Sequence, residues 1–63
     1  MKIKKGETYA EFVKRVRMAT KLTQEDFAVQ IGYNVSTVSA WERGRNVPVF
    51  TQKVIDDFAK GIK

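Results

Sequence analysis

The segment Leu22–Gly44 reads LTQEDFAVQIGYNVSTVSAWERG and carries signals for two short helices joined by a tight turn. Thr23 is suited to cap the start of the first of these helices, because its hydroxyl can accept a backbone N–H three residues on. Gly32 can adopt the positive φ that ends a helix. Asn34 is a strong N-cap for a following helix over about 35–43. The segment therefore predicts a helix pair that meets at the turn around Gly32.

The flanking segments add one helix on each side of this pair. Apolar residues fall at helical spacing over about 8–20, which predicts a first helix. Pro48 disfavours helical angles at Val47, so 45–48 is a loop, and the helical spacing resumes over about 51–60. We expect one all-α domain over the whole chain, a compact bundle of four or five short helices. The aromatic residues expected in its core are Phe12, Phe27, Trp41, Phe50 and Phe58.

The composition limits the classes of function. The 63 residues include 12 Lys and Arg against 7 Asp and Glu, and the net charge of +5 favours a polyanionic partner, either nucleic acid or an anionic membrane surface. The chain has no cysteine and no histidine, so the commonest metal ligands and the commonest general base are missing. No apolar run is long enough for a membrane span or a signal peptide. The composition argues against an enzyme and predicts a cytoplasmic protein without cofactor or metal.

The two central helices also have the spacing of a helix-turn-helix. A small residue, Ala28, suits a close helix crossing, and Gly32 follows four positions later at the turn. Val38 and Trp41 lie on the side of the second helix that faces the first. The joined pattern of LTQEDFA, the turn glycine and the closing WERG resembles the Cro/C1-type (XRE-like) helix-turn-helix family. The resemblance covers about Tyr9 to Phe58, which is most of the chain.

This family includes the lambdoid phage repressors and Cro proteins, so the resemblance implies a lambda-repressor-like fold. It also implies that the second and third helices bind double-stranded DNA, with the third in the major groove. The function would be sequence-specific regulation of transcription by a phage or mobile-element repressor of the Cro type. The sequence departs from the family in ending soon after the fourth helix, where 61–63 stand in place of a fifth helix often used for dimerisation. A monomer or a weak homodimer that pairs on DNA is therefore expected.

The outward face of the third helix carries small side chains. Ser36 and Ala40 point away from the buried positions, and Val35 and Ser39 flank them. An ordinary solvated surface has the same pattern, but next to this motif the four residues are expected to approach base edges. None of them can make the bidentate hydrogen bonds that read a base. Specificity should therefore come from thymine methyl contacts, water bridges and DNA shape.

Polar residues at the ends of these helices are expected to hold the DNA backbone. In the family, the residue that matches Gln24 bonds a phosphate and braces the recognition helix. Helix N-termini offer free N–H groups to phosphates, and cationic or polar side chains surround the end of the third helix. An ordinary charged surface loop is the alternative for that last group. The expected DNA-binding residues are Gln24, Asn34, Val35, Ser36, Thr37, Ser39, Ala40, Arg43, Arg45 and Asn46.

Glu42 lies near the inward side of the third helix, so its carboxylate needs a partner. Arg17, on the flank of the first helix, is the natural one, and the family often joins these helices by such a pair. We therefore expect an ion pair between Arg17 and Glu42.

Alternatives stay open for the N-terminal arm and for the function. Residues 1–7 are expected to form a flexible basic arm whose lysines either contact DNA or only keep the chain in solution. The second function is a protein-interaction module on the same fold, such as an antirepressor that binds a partner repressor. The weakly polar outward face of the third helix favours that reading modestly. A basic amphipathic membrane binder is the third, and the turn signals argue against it.

Overall fold

The computed structural model describes residues 1–62, which fold into α1 Tyr9–Ala19, α2 Gln24–Ile31, α3 Val35–Glu42 and α4 Val49–Lys60. None of these residues lies in a β-strand. The prediction of an all-α bundle with a helix-turn-helix is confirmed, since α2 packs closely on α3. No helix in the described part of the chain is both long and apolar enough to cross a membrane.

Side-chain caps explain where the first three helices begin. Thr8 and Glu11 form a reciprocal capping box, in which each side chain accepts the other residue's backbone N–H, at 3.2 and 2.9 Å. The hydroxyl of Thr23 accepts a backbone N–H at 3.0 Å, and the carboxamide oxygen of Asn34 accepts one at 2.9 Å. Gly32 ends α2 with a φ of 81°. The predicted start of α2, its end and the start of α3 are therefore confirmed.

The fourth helix begins two residues earlier than predicted, at Val49 instead of 51. Pro48 restricts the residue before it and leaves the following residues free to be helical. Its carbonyl accepts the first helical hydrogen bond of α4, from the backbone N–H of Gln52 at 2.9 Å. The proline therefore stands at the start of the helix and does not delay it.

One core prediction is wrong, because Phe50 is 74% exposed. The inward face of α4 repeats every four residues at Thr51, Ile55 and Ala59, which places position 50 on the flank of the helix. Val47, in the loop before α4, is buried. The buried core, against which Phe58 also packs, consists of Phe12, Val13, Val16, Phe27, Ala28, Ile31, Val38, Trp41, Val47, Ile55 and Ala59.

The N-terminal segment lies against α1 and α4 in the structure. The guanidinium of Arg15 donates to both carboxylate oxygens of Glu7, at 2.8 and 2.9 Å, and to the carbonyl of Lys2 at 2.7 Å. The ammonium group of Met1 donates to the carbonyl of Ala59 at 3.0 Å. The hydrogen bonds from Arg15 lower the pKa of Glu7 from 4.5 to about 2. These contacts fix the path of the segment, while its flexibility and its contact with DNA stay predictions.

Candidate nucleic-acid interface

Helix α3 forms a ridge between two grooves on one surface of the molecule. The α2-side groove has a volume of about 310 Å³ and is lined by Gln24, Val35, Ser36, Ser39 and Arg43. The loop-side groove has a volume of about 430 Å³ and is lined by Tyr33, Ser36, Thr37, Ala40, Trp41, Arg45, Asn46, Pro48 and Thr51.

The structure brings together nearly all the residues that the sequence predicts for DNA binding. Of the ten, only Asn34 lies outside both linings, and Ser36 belongs to both. Val35 and Ser36 are exposed, whereas Ser39 and Ala40 are half-buried on the walls of the ridge. The predicted residues therefore form one continuous surface, and their contact with DNA stays a prediction.

The α2-side groove is braced from below by a network of three side chains. The Nε and Nη2 atoms of Arg17 donate to the two carboxylate oxygens of Glu42, at 2.7 and 3.1 Å. The predicted ion pair is therefore confirmed, and it is bidentate. The Nη1 atom of Arg17 also donates to the carbonyl of Leu22 at 2.9 Å. The network ties α1 to the end of α3 and to the turn before α2.

Gln24, which the resemblance expects to brace the recognition helix, belongs to the same network. Its Nε2 atom donates to Glu42 at 3.3 Å. One amide hydrogen is then used inside the protein, while the amide oxygen and the second hydrogen remain able to bond a ligand. The side chains of this ion pair are nearly buried, with 15% of Arg17 and 6% of Glu42 exposed. The hydrogen bonds with Glu42 raise the pKa of Arg17. The hydrogen bond to Glu42 holds the orientation of the Gln24 amide.

Asn34 and Thr37 act first as a helix cap. The Oδ1 atom of Asn34 accepts both the backbone N–H and the hydroxyl hydrogen of Thr37, each at 2.9 Å. The hydroxyl hydrogen of Thr37 is therefore already used, while the carboxamide N–H groups of Asn34 can still donate outward. Of the two, Asn34 is better placed chemically to donate to an anion.

The loop between α3 and α4 forms the far wall of the loop-side groove. The backbone N–H of Arg45 donates to the carbonyl of Ala40 at 3.0 Å, which folds the loop back on α3. Val47 is buried, and its carbonyl accepts a hydrogen bond from Gln52 Nε2 at 2.9 Å. The loop is thus held at both ends, and the exposed side chains of Arg45 and Asn46 project from it.

Sequence reasoning missed the residues that form the floor of the loop-side groove. The hydroxyls of Tyr33 and Thr51 lie 2.8 Å apart, and the ring of Tyr33 packs edge-on against Trp41 with a centroid distance of 5.1 Å. Thr51 is only 4% exposed. Its position four residues before Ile55 was the available signal, because that spacing puts it on the inward face of α4.

The charge on this surface is positive. Arg43 stands at the α2-side groove and Arg45 at the loop-side groove, and neither lining includes an acidic side chain. Neither arginine takes part in an ion pair within the described residues. A ridge of small side chains between two cationic grooves can enter a polyanionic groove wide enough for a helix, such as the major groove of B-DNA.

The comparison with protein families agrees with this geometry. A model of the helix-turn-helix domain matches residues 8–62 and so covers all four helices and both grooves. No curated protein and no solved structure gave a match. The chain therefore belongs to the helix-turn-helix domain family, a DNA-binding family of the XRE/Cro-like type.

Proposed function

We propose that the chain is a sequence-specific regulator of transcription that places α3 in the major groove of double-stranded DNA, and that it acts as a phage or mobile-element repressor of the Cro type. One observation carries this proposal. The small outward side chains of α3 stand between two grooves that each hold an unpaired arginine and no acidic residue in the described structure. Such a surface suits close approach to a polyanion with the backbone held on both sides.

The base-reading residues of this proposal are the small ones along the ridge. Val35 and Ala40 can pack on thymine methyl groups, whereas Ser36 and Ser39 can donate or accept one hydrogen bond each. A single hydroxyl discriminates weakly between bases, so bridging water and the shape of the operator would supply much of the specificity.

The backbone-holding residues lie at the edges of the same surface. Gln24 offers its free amide hydrogen to a phosphate on the α2 side, next to Arg43. Arg45 and Asn46 would contact the phosphates on the loop side. Two copies would pair on half-sites about 34 Å apart, where DNA supplies the effective concentration to a monomer or weak homodimer.

Salt dependence of duplex binding is the direct test. Arg43→Ala and Arg45→Ala should each weaken binding to all duplex sequences about equally and lower the log–log salt slope by roughly one unit. Lys14→Ala is the matched control, because it removes one positive charge from an exposed position of α1 outside both linings. The proposal fails if both arginine variants keep the wild-type slope.

The exposed apolar residues favour a second candidate function. Val49 and Phe50 are adjacent at the start of α4 and are 71% and 74% exposed, which DNA binding does not require. A protein-interaction module, such as an antirepressor that binds a partner repressor, would use such a surface. Only the first function requires salt-dependent binding to duplex DNA, so the same titration separates the two functions.

A further inference from the structure

The hydrogen bond between Tyr33 and Thr51 spans the floor of the loop-side groove. Tyr33 lies in the turn that leads into α3, and Thr51 lies in the first turn of α4. Thr51 is a buried polar residue, only 4% exposed. A buried hydroxyl is costly without a partner, so the 2.8 Å bond to Tyr33 satisfies Thr51 and fixes the distance between the two segments.

Two further hydrogen bonds fix the backbone nearby, from the N–H of Arg45 to the carbonyl of Ala40 and from the hydroxyl of Tyr9 to the carbonyl of Gln52, at 3.0 Å each. Helix α3 packs mainly on α2 and α1, and α4 packs on α2, so the backbones of α3 and α4 hardly meet. The first turn of α4 has no side-chain cap that could anchor it to its own helix. The loop with Arg45 and Asn46 enters α4 just before Thr51. The backbone of Arg45 is tied to α3, so a change in the separation of Tyr33 and Thr51 would shift the part of the loop between Arg45 and α4 relative to α3.

We propose that Tyr33 and Thr51 are positioning residues for DNA recognition, and that their hydrogen bond sets the width of the loop-side groove. This inference rests on the proposed function. The bond holds the first turn of α4, and with it the end of the loop that carries Arg45 and Asn46, at the distance from α3 that lets the ridge and the loop contact the same duplex. Arg43 lines the α2-side groove, on the opposite side of α3, so this hydrogen bond does not set its position.

Thr51→Val tests the inference, because valine keeps the shape of threonine and removes the hydroxyl. Binding to the preferred operator should weaken by about three- to tenfold, the effect of one hydrogen bond. Thr51→Ser keeps a hydroxyl and should restore most of the affinity. Thermal melts must show that the variants are folded at the assay temperature, and Tyr33→Phe, which removes the other hydroxyl, replaces Thr51→Val if that variant unfolds.

A pair of double-mutant cycles separates a positioning role from a general loss of stability. Thr51→Val should cost little further affinity in an Arg45→Ala background, because the contact it positions is already gone. In an Arg43→Ala background, Thr51→Val should still lower the affinity for the operator by about three- to tenfold. The backbone amide NMR signals of Arg45 and Asn46 in the free protein should also shift in Thr51→Val, and that of Arg43 should not.

Two results overturn the inference while the proposed function stands. One is wild-type affinity for the operator in folded Thr51→Val, and the other is an equal loss of affinity in the Arg43→Ala and Arg45→Ala backgrounds. A wild-type protein that binds no duplex at low salt overturns the proposed function, and the positioning role falls with it.

Discussion

The two grooves beside α3 are held open in different ways. On the α2 side, a bidentate ion pair between Arg17 and Glu42 adds to direct packing of α3 on α1 and α2. On the loop side, the link is one neutral hydrogen bond, between Tyr33 and Thr51, together with a short loop. The α2 side therefore determines where α3 sits in the fold, and the loop side determines only how far the neighbouring backbone stands from it.

The largest expected effect on stability comes from an Ala→Gln substitution in α2, compared with the same substitution on the loop-side wall of α3. Ala28 is buried in α2, the helix that packs on α3, so Ala28→Gln forces an amide into a packed core at a cost of about 3 kcal/mol or more. A domain this small rarely has more than about 3–5 kcal/mol of stability, so the variant should be largely unfolded. Ala40 is half-buried on the loop-side wall, and Ala40→Gln should change stability by under about 0.5 kcal/mol.

Thermal melts and selection from a randomised operator library check both variants. Ala40→Gln should melt like the wild type and change the preferred base at one position. A cooperative wild-type melt for Ala28→Gln would contradict the close crossing. Unchanged base preferences for Ala40→Gln, with altered ones for Lys14→Gln, would place the base-reading face elsewhere.

The second effect breaks the α2-side brace. Arg17→Ala removes the cation from Glu42, whose side chain is 6% exposed in the wild type, and leaves its carboxylate bonded only to Gln24, which should lower the free energy of unfolding by about 3 kcal/mol. Urea titrations of the two single variants and the double variant give the coupling energy. The control is the exposed pair of Asp57 and Lys60, 3.6 Å apart, whose coupling should be under about 0.5 kcal/mol. Equal coupling energies in the two pairs would show that the pair of Arg17 and Glu42 stabilises the fold no more than an exposed pair does.

A third measurement uses an ion pair away from both grooves as a baseline. The pKa of Glu7 is lowered to about 2 by hydrogen bonds from Arg15, so its contribution to stability is complete above pH 4.5. That contribution is lost as the pH falls from 4.5 towards 2, where the folded carboxylate becomes protonated. The melting temperature of Glu7→Gln should therefore fall less than that of the wild type across this range. If the melting temperatures of the two proteins fall in parallel, the pair of Glu7 and Arg15 does not stabilise the fold.

The smallest effect should come from Lys21, in the turn that leads into α2. It has a φ of 58°, a left-handed conformation that costs a residue with a side chain about 1 kcal/mol relative to glycine. Lys21→Gly should therefore raise the free energy of unfolding by about 0.5–1 kcal/mol, less the entropy that glycine adds to the unfolded chain. Urea titration measures it, with Lys14→Gly in α1 as the control that should destabilise. A loss of stability in Lys21→Gly would show that the positive φ of Lys21 does not strain the backbone.

Helix limits could be predicted from the sequence where a cap stands. Thr23, Gly32 and Asn34 each bond a backbone group at most four residues away. Local chemistry therefore decides the helix-turn-helix, even though α3 is rich in Val, Ser and Thr. The pair of Arg17 and Glu42 could also be predicted, because a carboxylate on an inward position requires a cation.

The loop-side groove could not be predicted, because its contacts join distant parts of the chain. The hydroxyl partner of Thr51 is Tyr33, which is 18 residues away and lies in a different turn of the chain. Phe50 has helical spacing with Val54 and Phe58, and the pattern cannot show that the core ends before it reaches Phe50.

The buried valine in the loop before α4 has a thermodynamic consequence. Val47 fixes one end of the segment that carries Arg45 and Asn46, and the bond from Arg45 N–H to Ala40 fixes the other. The backbone of this segment has thus already lost its conformational entropy when the chain folds, at about 1–2 kcal/mol per residue. Binding of a ligand by these two side chains would have to order only their rotamers, so it would bring little of the heat-capacity change that accompanies coupled folding.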